Sequence, residues 1–455
     1  MRVLKTILFT ALIVLMAAPQ NVQARDKFLD IKEVASEGGI TAWLVEDHSV
    51  PVIAMQFAFK GAGSIQDPAN KQGLVRLVSN TMDEGAGDLE SEQFQKILRD
   101  LSISLSFGSS RDSYSGNLKT LSQNKERAFE LMQLALNKPR FDEEPTERMR
   151  ASNQSRIRSS LSNPGWIAAR IMNDVAYAGH PYALNSGGTL STLEAITTED
   201  LHDFAKTHLT KDRLSVAVAG DITEEELKTV LDDIFGELPE TAPENSVEKF
   251  DLKNKNTSHV YTMDIPQTII EIMQGGIARK DERYHHAQIM NFVLGSSGFG
   301  SRLTEEIREK RGLTYGIYSS FLTMDYFNGL SVSTSTANAN AGKMIDLITE
   351  QFQKMRSYPI SQEELDNAKS YLIGSLPLSL TSTDKIAGLL LSLQLDDLGV
   401  NYLDEREEAI KDATLDDIFK VSQQILAPEN FVTVLVGNPD GINNAKTVDT
   451  IPNVE

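Results

Sequence analysis

An internal duplication constrains this chain more than any other feature. Thr198–Asp221 (TEDLHDFAKTHLTKDRLSVAVAGD) and Thr414–Asn438 (TLDDIFKVSQQILAPENFVTVLVGN) lie about 217 positions apart. Both read as a capped amphipathic helix, a short turn, a β-branched strand, then Gly with Asp or Asn. Ala128–Glu144 and Met344–Glu363 match at nearly the same offset, each an apolar helix, a Lys/Arg/Pro break and an acidic start to the next helix. Two matches at one shared offset predict two homologous halves. Pro239–Ser258 is polar and lacks apolar periodicity, so a linker at 239–258 separates an N-terminal half at 26–238 from a C-terminal half at 259–455. In the first half Ile40–Glu46 and Val52–Lys60 alternate as strands. A helix at Leu74–Met82 and another near Ser91–Leu101 follow, then strands Ser102–Gly108 and Arg111–Leu121, three helical segments and a closing strand, Leu214–Ala219. This mixed order predicts an α+β fold, each half a mostly antiparallel sheet backed by helices.

Composition narrows the function classes. The 455 residues are 40% hydrophobic and 24% charged, ordinary globular proportions. With 44 Lys+Arg against 64 Asp+Glu the net charge is −20, which repels phosphate and argues against nucleic acid or an anionic membrane as partner. The absence of cysteine excludes disulfides, Cys-ligated zinc, iron–sulfur clusters and thiol catalysis. Arg2 and Lys5 precede the apolar run Thr6–Ala18, and Val22-Gln23-Ala24 supplies small residues at −3 and −1. Residues 1–24 therefore read as a signal peptide cleaved after Ala24, which predicts a periplasmic protein with no membrane attachment after cleavage.

Gly61–Gly87 (GAGSIQDPANKQGLVRLVSNTMDEGAG) follows an apolar strand, turns through Gly-Ala-Gly-Ser and enters a helix at Gly73-Leu74. This segment resembles the zinc-site region of the insulinase/pitrilysin peptidases, in particular the bacterial and mitochondrial-processing-peptidase branch. That family carries H-x-x-E-H here, with two His ligands one turn apart and a Glu general base. The matching positions are Arg76, Ser79 and Asn80. Arg is a permanent cation, Ser is no base at neutral pH and Asn is a poor zinc ligand. The family's third ligand, a Glu on a later helix, corresponds to Arg156 in Asn153–Pro164 (NQSRIRSSLSNP). None of the seven histidines (His48, His180, His202, His208, His259, His285, His286) forms a His-x-x-x-His or His-x-x-Glu-His set. The chain is expected to hold no metal and no cofactor of its own.

The second half keeps another part of the resemblance. Gly295–Phe321 (GSSGFGSRLTEEIREKRGLTYGIYSSF) reads as a glycine-rich turn, an amphipathic helix at Ser301–Lys310 and an alternating strand with Tyr315, Ile317 and Phe321. The glycine turn lacks the following Lys-Ser/Thr of a phosphate-binding loop. In the family this stretch supplies an Arg and a Tyr seven residues apart, which face zinc across a clamshell formed by the two halves. The positions that match are Arg308 and Tyr315. The resemblance implies that they hydrogen-bond peptide carbonyls and the oxyanion of the tetrahedral intermediate.

One branch of the family divides the labour between a zinc-bearing chain and a companion that keeps Arg and Tyr, and this sequence matches the companion. Its implied partner is a zinc-bearing subunit of similar length, and its implied substrates are peptides. Two other functions stay open: a structural or peptide-binding pseudo-peptidase without a catalytic role, and a two-lobed periplasmic solute-binding protein. The last predicts an aromatic-lined cleft, against an aromatic content of 7%.

Overall fold

The computed structural model describes residues 27–244, 246–296 and 300–455. The signal peptide expected at 1–24, and Ser297–Phe299 of the glycine-rich turn, lie outside the described residues. The strands are β1 (Lys32–Ala35), β2 (Thr41–Glu46), β3 (Val52–Lys60), β4 (Gly85–Ala86), β5 (Leu89–Glu90), β6 (Ser104–Ser109), β7 (Ser113–Leu121) and β8 (Leu214–Gly220) in the first half. The second half holds β9 (Thr257–Thr262), β10 (Gln267–Gly275), β11 (Ile317–Thr323), β12 (Asn328–Ala337), β13 (Val432–Gly437) and β14 (Lys446–Thr447). Apart from the small β4–β5 hairpin they form two six-stranded sheets, ordered β1-β2-β8-β3-β7-β6 and β14-β9-β13-β10-β12-β11.

The duplication is visible in these orders. In each half a long central strand (β3, β10) is antiparallel to its two neighbours, and the closing strand (β8, β13) runs parallel to the next strand out (β2, β9). Capping boxes at Thr197/Asp200 and Thr414/Asp417 start the helices Thr198–His208 and Leu415–Ile425, which precede the closing strands at the offset read from the sequence.

The central strands of each sheet are buried on both faces. Along β3 the large side chains Ile53, Met55, Phe57 and Phe59 point into the helices of their own half. The intervening Ala54 and Ala58, with Ala217 and Ala219 of β8, line the opposite face. That face is covered by a helix of the other half, Thr383–Leu395, whose Ala387 and Gly388 let it approach the alanine rows. The docking is fastened by Gln56 Nε2 donating to the Asp384 carbonyl at 3.0 Å, Gln394 Nε2 to the Val216 carbonyl at 2.9 Å, and a Lys119–Asp384 ion pair at 2.6 Å.

The exchange is reciprocal. The helix Pro164–Ala176, started by the Asn163 cap and a proline at its first position, lays Ile167, Ile171, Met172 and Val175 on Val432, Val434 and Val436 of β13. The two sheet-bearing halves are thus held together by two traded helices. The linker is fastened as well. Phe250 stacks on His180 and Phe327, Leu252 is buried, and the Lys253 amide donates to the Ala176 carbonyl.

Carboxylates sit at this junction. Asp112 accepts from the Tyr182 hydroxyl and from the Asp325 amide, and Lys60 lies 4.0 Å from Asp325 and 2.9 Å from Asp397. Burial first, and the Asp112 charge second, push the Asp325 carboxyl up to about 6; burial pushes Asp83 up to about 6 and Asp67 up to about 7. Each group binds its proton more tightly folded than unfolded, so the stability it contributes is lost as pH rises from about 4 through these values. Thermal melts are expected to show the melting temperature falling between pH 5 and pH 8, with Asp325→Asn reducing the slope. A melting temperature that rises across this window, or a slope unchanged in Asp325→Asn, contradicts the assignment.

Candidate functional site

The helix Leu74–Thr81 carries three of the degenerate zinc-motif positions. Its start is set by Gly73, whose φ of +88° suits glycine and whose Cα faces Gly188 so closely that a Cβ would stand 2.7 Å from that Cα. Asp67, missed in the sequence reading, caps the first turn: its carboxylate accepts from the Gly73 and Val75 amides at 2.8 and 3.0 Å. Leu74, Val75, Leu77 and Val78 bury the inner face in the core. Arg76 and Asn80 share another face one turn apart, as positions i and i+4 must, and Ser79 is buried with its hydroxyl donating to the Arg76 carbonyl at 2.9 Å.

The helix Glu143–Ser160 packs against this one. Its buried stripe is Thr146, Arg150, Asn153 and Ile157, and Arg150 is held by the Leu193 and Ile196 carbonyls. Arg156 is exposed on the same helix, near enough that its charge, after burial, holds the Arg76 guanidinium below its ordinary pKa. Arg76, Ser79 and Asn80 thus lie on one helix, and the helix packed against it carries Arg156. It adds Asn153, which sequence reasoning missed although its spacing of three from Arg156 on one helix was available.

Zinc does not fit this set. Two guanidiniums repel a dication, and among the described residues no three His, Cys, Asp or Glu side chains converge into a metal-binding group. The histidines are occupied elsewhere. His202 meets the Phe141 ring edge-on, His208 lies on Phe204 and is pushed down to about 4 by burial and then Arg213, and exposed His48 bridges Glu46 and Asp221.

The second constellation lies on the C-terminal half. Thr304–Glu309 is a π-helix, where the sequence predicts an α-helix over Ser301–Lys310. The Lys310 amide reaches back five residues to the Glu305 carbonyl at 3.0 Å, while Leu303 and Ile307 are fully buried. Such wide turns are often found at functional sites. Tyr315 also differs from expectation: it precedes β11 rather than lying in it, and at 88% exposure it is the most exposed large apolar side chain described. The segment leading to it is pinned, since Thr336 Oγ1 donates to the Leu313 carbonyl at 2.7 Å and Thr334 Oγ1 to the Gly316 carbonyl at 2.9 Å. Arg308 is half-buried, 3.6 Å from Glu309. Arg308 and Tyr315 line one open cleft of about 500 Å³, with Gln267, Thr314 and Asn340. A guanidinium and a phenol on one wall can donate hydrogen bonds to carbonyl or oxyanion oxygens; Glu309 also lines the cleft, as the ion-pair partner of Arg308.

Family models match both halves of the chain. Residues 51–189 match the model described as Insulinase (Peptidase family M16), and residues 195–372 match Peptidase M16 inactive domain. The chain belongs to the M16 insulinase-like family. Its M16 relatives include the "Non-peptidase homolog YmxG" of Helicobacter pylori, 28% identical over 341 residues that span 73% of this chain and 77% of that one. The "Probable inactive metalloprotease YmfF" of Bacillus subtilis is 26% identical over 194 residues, 42% and 45% of the two chains. Among solved structures, a peptidase M16 inactive domain from Pseudomonas fluorescens superposes with a TM-score of 0.83 at 26% identity, over 92% of this chain and all of that one. The M16 fold thus extends across both sheet-bearing halves.

Proposed function

We propose that this chain is a non-catalytic M16 pseudo-peptidase and the companion subunit of a periplasmic heterodimeric zinc peptidase, to whose active site it supplies Arg308 and Tyr315. The non-catalytic part rests on the lost zinc ligands and on relatives named as inactive or non-peptidase. The observation that carries the companion role is the Arg308/Tyr315 cleft. An aromatic side chain presented almost wholly to solvent from a pinned segment, with a guanidinium lining the same cleft, suits a surface that is completed by another molecule. The zinc would belong to the partner chain, the substrates would be peptides, and the location follows from the signal peptide read at 1–24.

A second reading, a structural or peptide-binding pseudo-peptidase, is favoured by the name of the Helicobacter relative, a non-peptidase homolog. Affinity purification of the tagged chain from its native cells separates the two. The expected result is co-elution of a chain of similar length with intact H-x-x-E-H, and peptide hydrolysis that a zinc chelator abolishes. Recovery of the chain alone, or of a complex without chelator-sensitive hydrolysis, favours the structural reading.

A further inference from the structure

The segment after β14 leaves the half it belongs to. β14 pairs in parallel with β9 of the second sheet, and the Val448 amide donates to the Val260 carbonyl at 2.8 Å. Beyond that point residues 451–454 lie on the first half. Three consecutive main-chain carbonyls are received there by donors of that half: Pro452 by Arg170 Nε at 3.4 Å, Asn453 by Asn185 Nδ2 at 3.0 Å and Val454 by the Leu190 amide at 3.1 Å. Arg170 and Asn185 are buried, and Arg170 is itself fixed by the Ala183 and Leu184 carbonyls. Ile451 packs on the apolar cluster that the helix Pro164–Ala176 forms with β13. The seat also reads one side chain. Asn453 has a φ of +54°, which asparagine tolerates and β-branched residues avoid, and its Nδ2 donates to the Ala183 carbonyl at 3.4 Å. The segment is not enclosed: residues 449–455 line an open cavity of about 770 Å³ together with Gln72, Leu161, Thr189 and Thr192 of the first half.

We propose that residues 450–455 are a detachable strap that fills, in cis, a groove holding a peptide by its main chain, and that release of the strap lets a peptide in trans take the groove. Carbonyls are common to every peptide, so the three donors accept a main chain of varied sequence. Selectivity comes from the apolar seat of Ile451 and from the position of Asn453, which must accept positive φ. Pro452 has no N–H to satisfy and arrives with its φ fixed, so seating it costs little conformational freedom. Residues 450–455 belong to no strand or helix and can lift away without breaking either sheet. Their tether nevertheless keeps them at a high effective concentration beside the groove, so the strap shuts out weak competitors. The inference concerns the isolated chain and does not depend on Arg308, Tyr315 or a zinc-bearing subunit.

Deletion of residues 450–455 tests it, with the acetylated synthetic peptide Asp449–Glu455 as probe and calorimetry and amide hydrogen exchange as readouts. The shortened chain is expected to stay folded, with the Leu190 amide exchanging at least about tenfold faster once its acceptor is gone. It should bind the probe, and bound probe should restore protection at Leu190. The intact chain should bind the probe at least about tenfold more weakly, because its own strap competes. A probe carrying Asn453→Val should bind at least about tenfold more weakly than the natural sequence, since it loses a donor and resists positive φ. Asn453→Val in the intact chain changes no residue of the groove, and should let that chain bind the natural probe more tightly than its parent does. A shortened chain that fails to fold makes 450–455 an integral part of the core and overturns the strap. No binding by the folded shortened chain at millimolar probe, or protection regained elsewhere than Leu190, overturns the groove. Equal binding by intact and shortened chains overturns occupation in cis, and an unchanged Asn453→Val probe overturns the seat of that residue.

Discussion

In the complex with a zinc-bearing partner, Tyr315→Phe is expected to lower kcat by about 10²–10³, or roughly 2.7–4 kcal/mol of transition-state stabilisation, the usual effect of removing one oxyanion donor. The substitution deletes one hydroxyl and keeps the ring, and at 88% exposure the side chain contributes little to the fold of the free subunit, so yield, melting temperature and assembly should not change. The loss should fall on kcat more than on KM, because a donor aimed at developing negative charge acts mainly in the transition state. Arg308→Ala should reduce both substrate anchoring and turnover. Arg308→Lys should rescue poorly, since a lysine lacks the planar fork and would present a point charge at the cleft wall. Steady-state kinetics on the reconstituted complex, with assembly checked by size-exclusion chromatography, make the measurement. If both variants turn over like wild type, Arg308 and Tyr315 are surface residues and the structural-subunit reading prevails.

The second large effect is a gain. Arg76→His, Ser79→Glu, Asn80→His and Arg156→Glu together should give a chain that binds about one zinc per chain, where the natural chain is expected to bind none. The helix Leu74–Thr81 presents positions 76 and 80 on one face, and the helix Glu143–Ser160, which carries position 156, packs against it, an arrangement in which two imidazoles and a carboxylate can meet. Removing the like-charge Arg pair also removes the main repulsion against a dication. Binding should be lost as pH falls through about 6.5, because imidazoles must be neutral to ligate. Peptide hydrolysis by this variant should stay weak, since neighbouring groups that would orient the new ligands are absent; buried Asn153, for one, offers its amide to no neighbour. Elemental analysis after exhaustive dialysis reads the outcome. A folded quadruple variant without zinc would mean that the inter-helix geometry, and not the lost side chains, forbids the metal.

Much of this was legible in the sequence for local reasons. Alternation placed Val52–Lys60 as a strand with the bounds β3 has, because a strand buried against helices must repeat its large side chains every second residue. The duplication implied two sheet-bearing halves, because the same run of caps, turns and branched residues specifies the same local structure twice. The absence of zinc chemistry was equally local: the residues at i and i+4 of one helix face either can ligate a metal or cannot, and Arg76 and Asn80 cannot.

Other features were decided only by tertiary packing. The apolar stripe of Pro164–Ala176 announces burial but not the sheet that receives it, and Ala54, Ala58, Ala217 and Ala219 mark a close approach without naming Thr383–Leu395 as the helix that makes it. The widened turn that carries Arg308 was not legible either, since the sequence pattern predicts an ordinary helix with Leu303 and Ile307 buried in both cases. The exposure of Tyr315 and the unpartnered atoms of Arg76, Asn80 and Asn153 are likewise invisible from sequence spacing. Local chemistry determines which elements form and which side chains could react. Which of those side chains end up bare, paired or buried depends on contacts between residues far apart in the chain, and these exist only once the halves have exchanged their helices.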